Sequence, residues 1–185
     1  MTSALISPLT ELDYLALEDK ATGKHEFVNN GIYAMAGASE RHNRISLNLA
    51  SVCNAASVGT ACRAFMSDMR LRLEGGNTYY YPDVMLVCNP QDTDAMFKSL
   101  PCLLAEVTST STEGTDRREK LAAYLKIPTL REYLLIAQDH IAVDLYQRHD
   151  MGQWHQTQLA AGDSFALVCL PLTLTVNQLY AGLQA

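Results

Sequence analysis

Two carboxylates stand where carboxylates are costly. Asp83 follows Pro82 at the head of the run Val84-Met85-Leu86-Val87, and Glu106 is embedded in Leu103-Leu104-Ala105-Glu106-Val107-Thr108. Both runs are short, nearly unbroken and rich in Val and Leu, which reads as buried strands. A buried, unpaired carboxylate costs several kcal/mol or takes up a proton. A shared divalent cation would remove that cost, and oxygen ligands of this kind suit Mg²⁺ or Mn²⁺. Such a cation activates water and neutralises charge that builds up on a phosphoryl group. The alternative is local: Asp83 caps its strand after Pro82, and Glu106 pairs with an arginine.

Four further side chains could serve the same chemistry. Asp116, Lys120 and Tyr124 form an i, i+4 stripe beside the apolar face of a helix. Lys120 could project over the carboxylates and position water or phosphate, or it could form a surface pair with Asp116 worth a few tenths of a kcal/mol. Glu26 could complete the acidic cluster or be an exposed hairpin residue. His42, three residues before Ile45, could reach the site from a helix N-terminus or be a satisfied core histidine. Arg41, Arg44, Arg117 and Arg118 could contact phosphates or form a solvated face.

The elements that must position these groups follow from pattern. Thr10-Glu11-Leu12-Asp13 has a capping-box form and predicts a helix to about Asp19, with Leu12, Leu15 and Ala16 on one face. His25 to Ala36 reads as a hairpin with Asn30-Gly31 in a type I′ turn. Ser39 caps a helix over Glu40 to Ser57, with Ile45, Leu49, Val52, Cys53 and Ala56 facing the core and Gly59 ending it. Strands are expected over Ala61 to Met66 and Met69 to Glu74, where Leu71 and Leu73 alternate with Arg70 and Arg72. Gln91 to Ser99 and Thr108 to Thr112 read as loops. A helix from about Thr115 to Lys126 precedes Pro128, with Leu121, Tyr124 and Leu125 apolar. Arg131 to Ala137, Ile141 to Gln147, Gln153 to Leu159 and Ser164 to Val168 read as strands, and Val176 to Leu183 as a closing helix. The order indicates an α/β domain with a mixed sheet.

Composition narrows the function classes. The 185 residues suit one domain spanning 1–185. The formal net charge of −6 argues against strong non-specific nucleic-acid binding but leaves local basic patches free to contact phosphate. The apolar stretch from Phe165 to Val176 is too short and interrupted for a membrane span. Met1 to Ile6 carry neither a basic region nor a cleavage site, so a cytoplasmic protein with no membrane association is expected. Cys53, Cys62, Cys88, Cys102 and Cys169 form no C-x-x-C pair and read as reduced core thiols. No P-loop, dinucleotide fingerprint, nucleophile elbow or zinc spacing is present.

The ordered set of motifs resembles the PD-(D/E)XK superfamily, and within it the restriction-endonuclease-like family long catalogued as a bacterial domain of unknown function. The matching pieces are His25 to Tyr33, Ala36 to His42, Tyr81-Pro82-Asp83-Val84, Glu106-Val107-Thr108-Ser109, Asp116 to Leu121 and Arg131-Glu132-Tyr133. The resemblance implies a restriction-endonuclease-like fold, a mixed β-sheet flanked by helices with extra β-hairpins at both ends. It implies Asp83 and Glu106 as ligands of Mg²⁺ or Mn²⁺ and a DNA endonuclease activity. The superfamily pattern places a lysine two residues after the glutamate; here that residue is Thr108, which makes Lys120 the candidate. The same departure favours a second expectation, a catalytically silent dimeric binding or assembly module. A homodimer joined through the C-terminal hairpins is expected by analogy with two-fold enzymes acting on duplexes.

Overall fold

The computed structural model describes residues 8–73, 75–108, 116–149 and 152–183, without the side chains of Asp116 and Arg117. Residues Met1 to Ile6, the loop expected after Thr108, Glu74, the helix start at Thr115 and the phosphate role of Arg117 fall outside that description.

In chain order the elements are α1 (Glu11–Glu18), β1 (His25–Val28), β2 (Gly31–Ala34), α2 (Glu40–Ser57), β3 (Arg63–Met66), β4 (Arg70–Arg72), β5 (Thr78–Tyr80), β6 (Val84–Val87), β7 (Phe97–Lys98) and β8 (Leu103–Thr108). There follow α3 (Asp116–Tyr124), β9 (Glu132–Ala137), β10 (Ala142–Arg148), β11 (Trp154–Ala160), β12 (Ser164–Ala166), β13 (Thr173–Thr175) and α4 (Val176–Leu179). The main sheet has the order β11-β10-β9-β8-β6-β3, with β8 and β9 parallel and the other pairs antiparallel. A smaller sheet, β2-β1-β5-β4-β7, carries the N-terminal hairpin, and β12 pairs with β13 near the C-terminus.

The strand period of two sorts the main sheet into two faces. Val84, Leu86, Leu103, Ala105, Val107, Leu134 and Ile136 face α2 and α4, packing on Ile45, Leu49, Cys53, Val176 and Leu179. Met85, Val87, Leu104, Tyr133 and Leu135 face α3, packing on Tyr124, Ile127 and Leu130. Both faces are covered, which is why β6, β8 and β9 read as continuous apolar runs rather than alternating ones.

Several expectations need correction. In α1 the buried residue is Tyr14, stacked on Phe27 at a centroid distance of 4.9 Å, whereas Leu12 is 78% exposed. The hairpin turn is Asn29-Asn30, one residue earlier than expected. Both have positive φ (48° and 68°), and Val28 pairs with Gly31, so the type I′ geometry is carried by asparagines. Part of the expected 91–99 loop is β7, paired parallel with β4. Its Lys98 is buried because the ammonium donates to the Asp92 carbonyl at 3.4 Å and to that of Asp94. In β4, Arg70 is buried beside Leu71, donating from Nε to the Met96 carbonyl at 3.2 Å, which breaks the expected alternation.

The cysteines also differ from expectation. Cys62 is joined to Cys88 and Cys102 to Cys169, while Cys53 is a buried free thiol. Their sequence spacing concealed this. Cys62 precedes β3 and Cys88 follows β6, and the pairing of Arg63 with Val87 sets them side by side at one end of the main sheet. Among the described residues no helix is long and apolar enough to cross a membrane.

Candidate active site

The chain leaves the small sheet at Tyr80, passes through Tyr81 and Pro82, and enters the main sheet at Val84. Pro82 cannot donate to a ladder, which suits a strand start. Asp83 occupies this crossover. Val84 pairs with Ala105 in antiparallel register, so Asp83 falls opposite Glu106. Asp83 shares the parity of Met85, and Glu106 that of Leu104, so both carboxylates belong to the α3 face.

Asp83 Oδ2 accepts the Val107 backbone N–H at 2.7 Å and lies 3.1 Å from His42 Nε2. His42 stands in the first turn of α2, where its backbone N–H donates to the cap Ser39 Oγ at 3.1 Å. The hydrogen bond to Asp83 raises the His42 pKa against the opposing effect of burial, with Glu106 contributing a further upward pull. Glu106 Oε1 accepts the Tyr124 hydroxyl at 2.8 Å and lies 3.7 Å from Lys120 Nζ. Burial pushes the Glu106 carboxyl up to about 7, with Lys120 working against the rise and Asp83 adding to it.

Lys120 faces inward from α3. Its ammonium donates to Glu26 Oε1 at 2.7 Å and sits 5.3 Å above the Tyr80 ring. Burial disfavours its charge, but Glu106 and Glu26 outweigh burial and hold the pKa above the usual lysine range. Lys120 thus makes a half-buried link between β1 and β8, and the alternative pairing with Asp116 lies outside the described side chains. Glu26 is 15% exposed at its side chain, so the exposed-hairpin alternative fails as well.

The structure thus brings together all five side chains singled out from sequence: Asp83, Glu106, Lys120, Glu26 and His42. It adds Tyr124, which the sequence presented only as the apolar end of the Lys120 stripe. Burial and the bond to Glu106 hold its phenol well above the ordinary tyrosine pKa, so it stays a donor. Thr108 lies at the end of β8, and Gln138 N–H donates to its carbonyl at 2.8 Å. Arg41 donates to the Gln138 carbonyl, while Arg44 and Arg118 are exposed.

A divalent cation fits the donor set in a limited way. The contacts above engage Oδ2 of Asp83 and Oε1 of Glu106, so each carboxylate retains a second oxygen. Among the described residues no three His, Cys, Asp or Glu side chains form a ready cage. Two carboxylates suit Mg²⁺, which keeps several waters and uses one or two protein carboxylates. Two hollows of about 580 and 640 Å³ lie elsewhere, beside Arg63 and Lys98 and beside Lys126 and Pro128. Neither hollow holds the cluster of half-buried charges, and it is the cluster that marks the candidate site.

This combination of a mixed sheet, a Pro-Asp crossover and a facing glutamate defines a restriction-endonuclease-like protein. The family model described as "Putative restriction endonuclease" matches residues 12–177, and the chain belongs to that family. It is 36% identical over 183 residues to the uncharacterized protein slr1290 of Synechocystis sp., covering 98% of this chain and 96% of the relative. It is 41% identical over 162 residues to sll1609 of the same organism, covering 86% and 92%. A crystal structure of a "putative nuclease belonging to DUF820" from Anabaena variabilis shares the fold, with a TM-score of 0.78 at 18% identity, covering 94% of this chain and 98% of that one.

Proposed function

We propose that the protein is a divalent-metal-dependent endonuclease that hydrolyses DNA phosphodiester bonds. The observation that carries the reading is the facing pair of half-buried Asp83 and buried Glu106, with half-buried Lys120 beside them at the junction of the two sheets. Membership of a family described as restriction endonucleases supports the same class.

Asp83 and Glu106 would hold Mg²⁺ or Mn²⁺, which when bound supplies an activated water and charge neutralisation at phosphorus. The Val107 amide and His42 fix the Asp83 carboxylate in place. Tyr124 fixes Glu106, and with Lys120 favours its ionised form. Lys120 keeps its proton and, among the described residues, is the cation placed between Glu26 and Glu106, which suits it to orient a water or a phosphate oxygen. Glu26 aims the ammonium, and its bond would loosen as phosphate arrives.

The test is cleavage of plasmid and single-stranded DNA with Mg²⁺ or Mn²⁺. Asp83→Ala and Lys120→Ala should each lower the rate by at least about a hundredfold, the scale of losing a charge-stabilising or proton-transfer group. Cleavage unaffected by both substitutions would contradict the proposal. Thr108 in the place of the motif lysine favours a second reading, a silent dimeric nucleic-acid-binding module acting without metal. A homodimer belongs to both readings and is checked by light scattering.

A further inference from the structure

We infer that the α3 face of the main sheet holds a pocket for one unpaired nucleobase beside the cleavage site. The inference rests on the nuclease reading for its ligand class but stands on a separate cavity.

The register of the sheet places this cavity. Glu106 lies beside Leu135, Leu135 pairs with Asp144, and Asp144 pairs with Gln158. These four form one row across β8, β9, β10 and β11, with side chains on the same face. The next row runs from Thr108 to Ala137, and from Ala142 to Ala160. A hollow of about 300 Å³ is lined by residues of both rows, Thr108, Ala137, Ala142, Asp144, Gln158 and Ala160, with His140 at its rim. It therefore begins two residues along β8 from the candidate metal ligand, at the next position on the same face, and continues sideways on that surface.

The lining selects the ligand. Its volume is at the low end for small-molecule sites, which suits a single flat ring system. Three alanines, Ala137, Ala142 and Ala160, together with Leu135, Val143 and Leu159, give the lining apolar surface against which a planar ring can lie. The exposed Gln158 amide offers both a donor and an acceptor, which match the edge of a base, while the neighbouring Asp144 is engaged by the Gln156 amide, which donates to its Oδ1 at 3.2 Å. Among the described residues no lysine or arginine lines the hollow, and Asp144 brings negative charge, so the chemistry disfavours a phosphate there. The phosphate belongs at Lys120, and the base that adjoins it belongs in the hollow. The other end of the same face is filled by Tyr133, Tyr146 and Trp154, with Trp154 Nε1 donating to the Leu125 carbonyl at 3.1 Å. The strand path is thus bounded on that side.

The experiment is an abasic scan. Fluorescein-labelled single-stranded DNA of eight nucleotides, with each base removed in turn, is titrated by anisotropy in EDTA. Wild-type protein should lose about tenfold in affinity at one position, the scale of one base contact. The double variant Ala142→Leu/Ala160→Leu fills the hollow, and Gln158→Ala removes the amide without filling it. In the filled variant, the intact and abasic strands should bind within about twofold of each other, and Gln158→Ala should fall between. Should the filled variant fail to fold by circular dichroism, the Gln158→Ala comparison decides. A flat wild-type scan overturns the pocket even if the protein cleaves DNA. A position-dependent scan without metal-dependent cleavage overturns the nuclease reading and leaves the pocket standing. Absence of both binding and cleavage overturns both.

Discussion

At the scale of single residues, the site is an arrangement of charges that are stable only together. Glu106 carries the largest burden, because burial raises its carboxyl from the ordinary 4.5 to about 7. A folded-state pKa above the unfolded one contributes stability that is complete below the unfolded value and is lost as pH rises through the folded value. His42, also raised, acts in the same direction above its ordinary 6.5. Metal-free protein should therefore lose stability between about pH 5 and pH 8, with Glu106 as the main source of the decline. Melting temperatures across that range check this. Glu106→Gln should flatten most of the decline, and millimolar Mg²⁺ should offset it in the wild type. Cleavage should rise over the same interval as Glu106 ionises. Tyr124→Phe removes one donor to a buried carboxylate and should cost about 1 to 3 kcal/mol in denaturant unfolding, with a smaller loss of cleavage than Asp83→Ala.

At the scale of elements, the main lesson is how strand ends assemble a site. The two apolar runs were legible as neighbouring buried strands because covering both faces leaves an unbroken Val and Leu pattern. α2 was legible from its cap and its period, and it ends at Ser57 as its sequence indicates. What local pattern could not convey was contact between distant segments. β7 is a two-residue strand whose buried lysine depends on the carbonyls of Asp92 and Asp94. Glu132 is fully buried yet reads as an ordinary strand-start glutamate. Its oxygens accept the backbone N–H groups of Val168 and Cys169 at 2.8 and 3.1 Å, which clamps the C-terminal segment to β9. The disulfides likewise depend on register. Denatured, unreduced protein should show one thiol, Cys53, and five after reduction. Closing loops of 26 and 67 residues corresponds to about 3 to 4 kcal/mol each, so a reductant should lower the melting temperature. Five thiols before reduction would instead match the reduced cysteines expected of a cytoplasmic protein.

At the scale of the whole molecule, the two sheets divide the work. The small sheet supplies Glu26 and the Tyr80 ring, the main sheet supplies Glu106, and Asp83 sits where the chain crosses between them. α2 and α3 then deliver one nitrogen group each, His42 and Lys120. Movement of either sheet relative to the other would separate the carboxylates from the ammonium, so the cluster reports on the integrity of the fold. The net charge of −6 weakens attraction to a polyanion such as DNA, and a cation at the carboxylates would strengthen it. DNA binding should therefore strengthen with divalent metal, and more than an equal ionic strength of NaCl would allow. The most direct test of the account is a calorimetric titration of Mn²⁺ into wild-type protein and Asp83→Ala near neutral pH. The account predicts saturable binding at millimolar metal or below in the wild type and none in the variant. A wild type that gives no heat of binding, or a variant that binds equally well, would contradict it.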